Sequence, residues 1–172
     1  MKNIICILAS VALFAGPRAN AGILIGAGEI TITPKQPVAV SGQFHTRIAR
    51  EVESPCIASA VALEKKNADG SVEQAVMVSC DLVAIRDDIQ ERLRKKLAPS
   101  VPDLDVSRIF LSATHTHTAP VMREGVYDIP KEGVIQPSEY VEFLTDQLSQ
   151  LIEKTWKSRK PGAVSWGLGH AV

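Results

Sequence analysis

Two histidines separated by a single residue are the part of this sequence best suited to chemistry. His115 and His117 lie within Ser112–Pro120, which follows the apolar run Ile109–Leu111, and that run predicts a buried strand. If the chain stays extended beyond the strand, side-chain alternation puts both imidazoles on one face. Imidazole is the commonest metal ligand, and a catalytic zinc needs about three protein ligands and an open position for water. The pair therefore predicts part of a metal site; the alternative is two hydrogen-bonded loop histidines.

A strand–helix–strand unit is expected to position the histidines. Ala75–Cys80 predicts a strand, and Arg86–Leu97 repeats apolar residues at every fourth position among charged ones, which indicates an amphipathic helix. Arg108–Ala113 is the next predicted strand. Such a crossover joins parallel neighbours, so the carboxyl ends of the two strands are expected at one edge of the sheet. Ligands of open α/β sheets bind at that edge.

Asp81 follows the first of these strands and is expected at the same edge as the histidines. A carboxylate there can accept a hydrogen bond from the second ring nitrogen of a metal-bound histidine and so fix its orientation. The alternative role is a cap at the amino end of the following helix, where aspartate is favoured. The sequence leaves both roles open.

The remaining pattern predicts an α/β domain, in which a mixed sheet contains the βαβ unit and carries flanking helices. Gly22–Pro34 predicts the first strand, since it is rich in β-branched residues and ends at a proline. Ile57–Leu63 and Gln74–Ser79 predict a hairpin, and the apolar stripe of Ser138–Lys157 predicts the longest helix. Ala163–Leu168 is the last predicted strand.

Cys56 and Cys80 flank the predicted hairpin, and no other cysteine lies beyond residue 21. The expected turn places them within about a residue of opposite positions, which is compatible with a cross-strand disulfide in an exported protein. Two buried free thiols are the alternative, because a disulfide requires a narrow Cα separation.

The amino terminus and the charge balance bound the class of protein. Lys2, the apolar run Ile4–Gly16 and Ala19–Ala21 have the order of a signal peptide, so residues 1–21 are expected to be removed and 22–172 to form one exported domain, periplasmic or secreted. No later apolar run is long enough for a membrane helix.

Removing the leader takes away two basic residues and no acidic one, so the formal charge falls from 0 to −2. Nucleic acid is therefore not an expected partner.

Several other enzyme and nucleotide-binding families are excluded by their motifs. Ala119 stands where the His-x-His-x-Asp-His motif of metallo-β-lactamases has its aspartate. A His-x-His amidohydrolase barrel needs roughly 250 residues and more strand–helix units than this chain has. The sequence has no P-loop, and Gly26–Gly28 lacks the third glycine and the helix of a dinucleotide site. A Gly-x-Ser-x-Gly nucleophile elbow is also absent.

Three segments match motifs of one enzyme family. They are Gly26–Gly28 leading to Ile32–Pro34, Val78–Asp81 at a strand end, and above all Ser112–Pro120, which is similar to Thr-His-Thr-His-Ser-Gly-Pro. On these residues the chain resembles the neutral/alkaline, non-lysosomal ceramidases, specifically the N-terminal part of their catalytic domain. The resemblance runs along most of residues 22–172.

The resemblance implies a zinc-dependent amide hydrolase that cleaves the N-acyl bond of ceramide or a related lipid amide. By the same resemblance, His115 corresponds to the first zinc ligand. His117 corresponds to a neighbouring active-site histidine, which can transfer a proton or hold the oxyanion. A secreted binding domain with the same fold, without metal or activity, is the alternative.

The departures from the family also carry expectations. Thr118-Ala119 replace the family's Ser-Gly, and Thr31 stands where an acidic residue often precedes Thr-Pro, which indicates a divergent branch. The family's remaining zinc ligands, a histidine, a glutamate and a tyrosine, lie far downstream. The chain is therefore expected to be the N-terminal portion of a larger catalytic domain, truncated at its C-terminal end and inactive alone.

Overall fold

A computed structural model describes residues 22–169 of the chain, so the predicted signal peptide lies outside the described residues. The elements in chain order are β1 (Ile23–Thr31), β2 (Val38–Ala39), β3 (Ile48–Ala49), β4 (Ile57–Lys66), β5 (Val72–Cys80), α1 (Asp87–Leu97), a 3₁₀ turn (Val106–Arg108), β6 (Ile109–Ala113), α2 (Pro137–Lys157) and β7 (Lys160–Gly162). Strands β2 and β3 form a small antiparallel ribbon of their own.

The main sheet has five strands in the order β6-β5-β4-β1-β7. β5 and β6 are parallel and α1 lies between them in the chain, whereas the other neighbours in this sheet are antiparallel. The register of β5 with β6 pairs Val76 with Ile109 and Cys80 with Ala113. The predicted βαβ unit and the mixed α/β sheet are thus confirmed, and the ends of β5 and β6 meet at one edge.

Side-chain alternation decides which face of the sheet the helices cover. Ala58, Ala60 and Ala62 of β4 are buried, while the residues between them are exposed. Small residues let α2 lie close to the sheet, and the approach is tightest at Gly26 of β1. A Cβ added there would lie 2.1 Å from the carbonyl oxygen of Thr155, so only glycine fits.

Both helices form where the sequence predicts them, because each has one apolar face and a defined start. Ile89, Leu93 and Leu97 of α1 are buried, and burying one such side chain stabilises the fold by roughly 1.5–3 kcal/mol. Helix α2 begins with a capping box between Gln136 and Glu139. No helix within residues 22–169 is long and apolar enough to cross a membrane.

The β4–β5 hairpin has a register different from the sequence expectation. Ala58, and not Cys56, lies opposite Cys80. Cys56 is therefore two positions beyond the directly opposed pair. Both cysteines are free thiols, Cys80 buried and Cys56 half-buried, so of the two alternatives drawn from the sequence the structure has the free thiols.

The prediction of a final strand at Ala163–Leu168 is wrong. The last strand is β7, whose Gly162 lies opposite Ile23, the first residue of β1, so the chain beyond Gly162 has passed the end of its neighbour. Residues 163–169 have no regular structure, and Trp166 is 92% exposed. Trp156 of α2, by contrast, is 1% exposed in the core.

Candidate metal and catalytic site

The histidine segment leaves the sheet at the edge where β5 and β6 end. The main chain continues the pairing for two residues, with Thr114 N–H donating to Cys80 O (2.9 Å) and His115 N–H donating to Leu82 O (3.0 Å). The predicted position of the histidine segment, at the carboxyl ends of two parallel strands, is thereby confirmed. The segment is not extended, however, because β6 ends at Ala113 and His115 is left-handed with φ 65°.

The side chain of His115 is held through one nitrogen and open at the other. Nδ1 lies 2.6 Å from the main-chain oxygen of Val83. A carbonyl oxygen can only accept, so Nδ1 is the donor, and in the neutral ring Nε2 has the free electron pair. The residue is exposed, and its left-handed main chain costs on the order of 1–3 kcal/mol. Nε2 has no hydrogen-bond partner among residues 22–169.

The ring of His117 lies beside that of His115, with centroids 5.1 Å apart and planes at 68°. It packs against Gly42, where an added Cβ would lie 2.3 Å from the ring's Cγ. Its main-chain oxygen accepts a hydrogen bond from Arg47 Nη2 (2.5 Å), and the same nitrogen donates to Ser41 O (2.7 Å). The two histidines are therefore together, as the spacing predicts, but a turn and not an extended strand places the second ring.

Asp81 joins three strand ends and has neither role predicted for it. Its Oδ2 accepts from Ile57 N–H (2.9 Å) and its Oδ1 from Thr114 Oγ1 (3.2 Å). Val83 O, a main-chain group, takes the place next to the histidine that the carboxylate was expected to fill. Helix α1 has Arg86 at its N-cap, so Asp81 does not cap it. Asp81 instead fixes the edge from which the histidines project.

The residues present fit part of a metal site. A histidine that donates Nδ1–H to a carbonyl and leaves Nε2 free has the arrangement usual for a metal ligand, and His115 has it. Within residues 22–169 no group of three or more His, Cys, Asp or Glu side chains is arranged to hold a metal ion. The described residues therefore offer one suitable ligand with a second imidazole beside it.

Neither cysteine is suited to nucleophilic chemistry. Burial, with a smaller contribution from the Asp81 charge, raises the pKa of Cys80 to about 12 and raises the pKa of Cys56 as well. Both thiols are protonated at neutral pH, and the thiolate is the reactive form. The two histidines therefore remain the candidate reactive groups of this edge.

A cavity of about 490 Å³ borders the histidine segment. Thr116 and Thr118 line it, together with Arg47, Cys56 and Asp81, whereas neither His115 nor His117 does. The two threonines of the segment thus border this cavity, and the two histidines do not.

Three groups that shape the site were missed from the sequence. They are Val83, through its carbonyl oxygen, and the pair Gly42 and Arg47. A main-chain acceptor gives no sequence signal. Gly42 does give one, since a glycine in a polar turn favours a positive φ, and here φ is 97°.

Comparison with known proteins gives a likeness of structure. No family model matches the sequence, and no curated protein matches it. Among solved structures, neutral ceramidase from Pseudomonas aeruginosa superposes with a TM-score of 0.68 at 21% identity, covering 82% of this chain and 22% of the ceramidase chain. The structural neighbours are neutral ceramidases. A ceramidase complexed with C2 superposes with a TM-score of 0.63 at 20% identity, with the same two coverages.

The ceramidase likeness concerns the fold. The mixed sheet and its two helices match a portion of a ceramidase domain, which is the fold class the sequence predicts. The chain spans about a fifth of the length of the ceramidase chains it matches. The activity of those whole enzymes comes to this chain only as a proposal.

Proposed function

We propose that this chain forms the histidine-bearing edge of an exported, zinc-dependent amide hydrolase that cleaves the N-acyl bond of ceramide or a related lipid amide. The observation that carries the proposal is the ring of His115, with Nδ1 bound to Val83 O and Nε2 open. It occurs at the carboxyl edge of two parallel strands, in a fold shared with neutral ceramidases. Catalytic ligands of α/β proteins gather at that edge.

His115 supplies one ligand in this proposal. The hydrogen bond to Val83 fixes both the tautomer and the direction of Nε2. When bound, zinc polarises the amide carbonyl and lowers the pKa of its water toward about 7. The other protein ligands are proposed to come from outside residues 22–169, because that part of the chain brings no third ligand to the edge.

His117 acts beside the metal and does not hold it. Its main chain is fixed by Arg47, while the structure gives its ring no hydrogen-bond partner within residues 22–169. A ring with both nitrogens available can take a proton from water, pass it to the leaving amine, or donate to the developing oxyanion. Its ring centroid lies 5.1 Å from that of His115, which would place a proton-transferring group next to the residue proposed to hold zinc.

The test is metal content measured beside amide hydrolysis in the complete protein. The wild type is expected to contain zinc and to hydrolyse a short-chain ceramide. His115→Ala is expected to lose both, because removing one of three or four ligands from an open site weakens binding severely. His45→Ala is the matched control, since His45 is an exposed histidine outside the edge.

Full zinc occupancy in His115→Ala would overturn the ligand assignment. A wild-type protein that binds zinc but hydrolyses no N-acyl amide would overturn the reaction. A wild-type protein with neither metal nor activity would favour the binding domain without metal.

A further inference from the structure

Three residues that neither bind the proposed metal nor transfer a proton fix the main chain around His117. They are Ser41, Gly42 and Arg47, in the segment that links β2 to β3, and we call them the His117 clamp. Arg47 lies 70 residues from His117 in the sequence, and the other two residues lie farther still. Its contacts are therefore tertiary and are made only in the folded chain.

Arg47 makes the central contact of the clamp. One nitrogen, Nη2, bridges Ser41 O at 2.7 Å and His117 O at 2.5 Å. Ser41 N–H in turn donates to Ala119 O at 2.9 Å, so the main chain is fixed on both sides of residue 118. A charged donor makes a stronger hydrogen bond than a neutral one, so these contacts hold the main chain more firmly than a neutral donor would.

The clamp is itself held from its outer side. Tyr127 Oη donates to Gln43 O at 2.7 Å, and Thr46 Oγ1 donates to Asp128 O at 3.1 Å. The segment that carries Arg47 is thus tied to the loop that follows the histidines. Contact between Gly42 and the ring of His117 adds a steric limit to where that ring can stand.

We infer that Arg47 is the positioning residue of His117, and that it sets the place of the imidazole relative to His115. Arg47 does not touch the reacting atoms; it acts through the His117 main chain. The catalytic consequence rests on the proposed function, while the geometric consequence does not. A misplacement of about 1 Å can lower a rate by about 10²-fold.

The chain offers a matched control for the loss of an arginine. Arg94 Nη2 also donates to two main-chain oxygens, Ser107 O (3.1 Å) and Ile109 O (2.9 Å), and both arginines have a buried Nε without a hydrogen-bond partner in the described part of the chain. Arg94 lies on α1, away from the histidines. Arg94→Ala therefore removes similar interactions without touching the clamp.

The experiment compares Arg47→Ala, Arg47→Lys and Arg94→Ala in the complete protein. For Arg47→Ala we expect kcat to fall by about 10²-fold, with KM and zinc content changed less than about threefold. Arg47→Lys should recover part of kcat, because an ammonium can donate to the same oxygens. Arg94→Ala should lower the melting temperature to a similar extent and leave kcat unchanged.

A second measurement is independent of activity. In ¹⁵N-histidine NMR spectra, the ring signals of His117 should shift or broaden in Arg47→Ala, while those of His115 stay in place and Arg94→Ala leaves both unchanged. Unmoved His117 signals would overturn the inference, even in a protein without amidase activity. If Arg47→Ala does not fold, Arg47→Met decides, because it keeps an apolar stem of similar length and removes the donors to Ser41 O and His117 O. His117 signals identical to those of the wild type in that variant would reject the positioning role.

Discussion

His115 and His117 stand with their ring centroids 5.1 Å apart, yet two different regions hold them. The strand edge holds His115 by its ring, through Val83 O. The clamp holds His117 by its main chain, through Arg47, and only limits its ring through Gly42. An edge that fixes one ring nitrogen and frees the other suits a ligand, whereas a turn that fixes position and frees both nitrogens suits a proton carrier.

The largest expected effect comes from removing the ring that the clamp positions. His117→Ala should keep most of its zinc while the rate of N-acyl hydrolysis falls roughly 10²- to 10⁴-fold, because a proton-transfer or oxyanion group adds to rate without holding metal. Elemental analysis and kcat, both measured on the complete protein, check this. Zinc loss as complete as that of His115→Ala would show that His117 is a ligand, and would reject the difference in role between the two histidines.

Gly42→Ala tests the steric contact between the clamp and the ring of His117. The new Cβ would lie 2.3 Å from His117 Cγ in a residue with φ 97°, so we expect a free energy of unfolding lowered by more than about 1 kcal/mol and a reduced kcat. Gly133→Ala is the control, since its φ is 69° and nothing lies within 4 Å of its added Cβ. Urea unfolding measures the stability of both variants, and steady-state kinetics measures their kcat. Equal effects of both substitutions on kcat would mean that the contact with His117 is without consequence.

Asp81→Asn tests whether the strand edge depends on the carboxylate for metal binding. The substitution weakens the bonds from Ile57 and Thr114, so stability should fall by about 1–2 kcal/mol. Zinc affinity should change little, because His115 is oriented by Val83. A loss of 10- to 100-fold in affinity, which is typical when a partner of a metal-bound histidine is removed, would restore the role first predicted for Asp81.

The smallest effect at neutral pH concerns the buried thiol at the end of β5. The pKa of Cys80 is about 12 in the folded chain against an ordinary value of 9.0. Between these values the unfolded chain releases its proton first, so the free energy of unfolding should fall as pH rises from 9 toward 12, by at most about 1.4 kcal/mol per unit. Urea titrations at pH 7, 9 and 10.5 measure it, with Cys80→Ala giving a flatter profile. Identical profiles would contradict the burial of this thiol.

The sheet and helices were predictable because their signals are periodic and local. The apolar repeat of α1 and the long stripe of α2 ended within a residue or two of their predicted bounds, and the parallel pairing of β5 and β6 followed from the crossover. The prediction for residues 163–169, the C-terminal tail of the described chain, was wrong because it depended on a non-local contact. Alternation in Ala163–Leu168 is typical of a strand, but a strand also needs a neighbour, and β1 begins opposite Gly162.

The candidate site was predictable in its histidines and not in what surrounds them. Spacing and the strand-end position brought His115 and His117 together, but the left-handed main chain of His115 depends on tertiary contacts that no local pattern encodes. Arg47 lies far from His117 in the sequence, and Val83 acts through an atom that every residue has. Long-range and main-chain contacts are the part that sequence reasoning cannot supply.

The two tryptophans make the chain its own fluorescence reporter. Trp156 is 1% exposed and its indole N–H donates to Asp103 at 3.0 Å, whereas Trp166 is 92% exposed. Iodide should therefore quench Trp166 and spare Trp156 while the chain is folded. The protected emission follows the packing of α2, and the quenchable emission follows the tail, so any surface that comes to cover the tail would be detected as a loss of quenching without a change in the core.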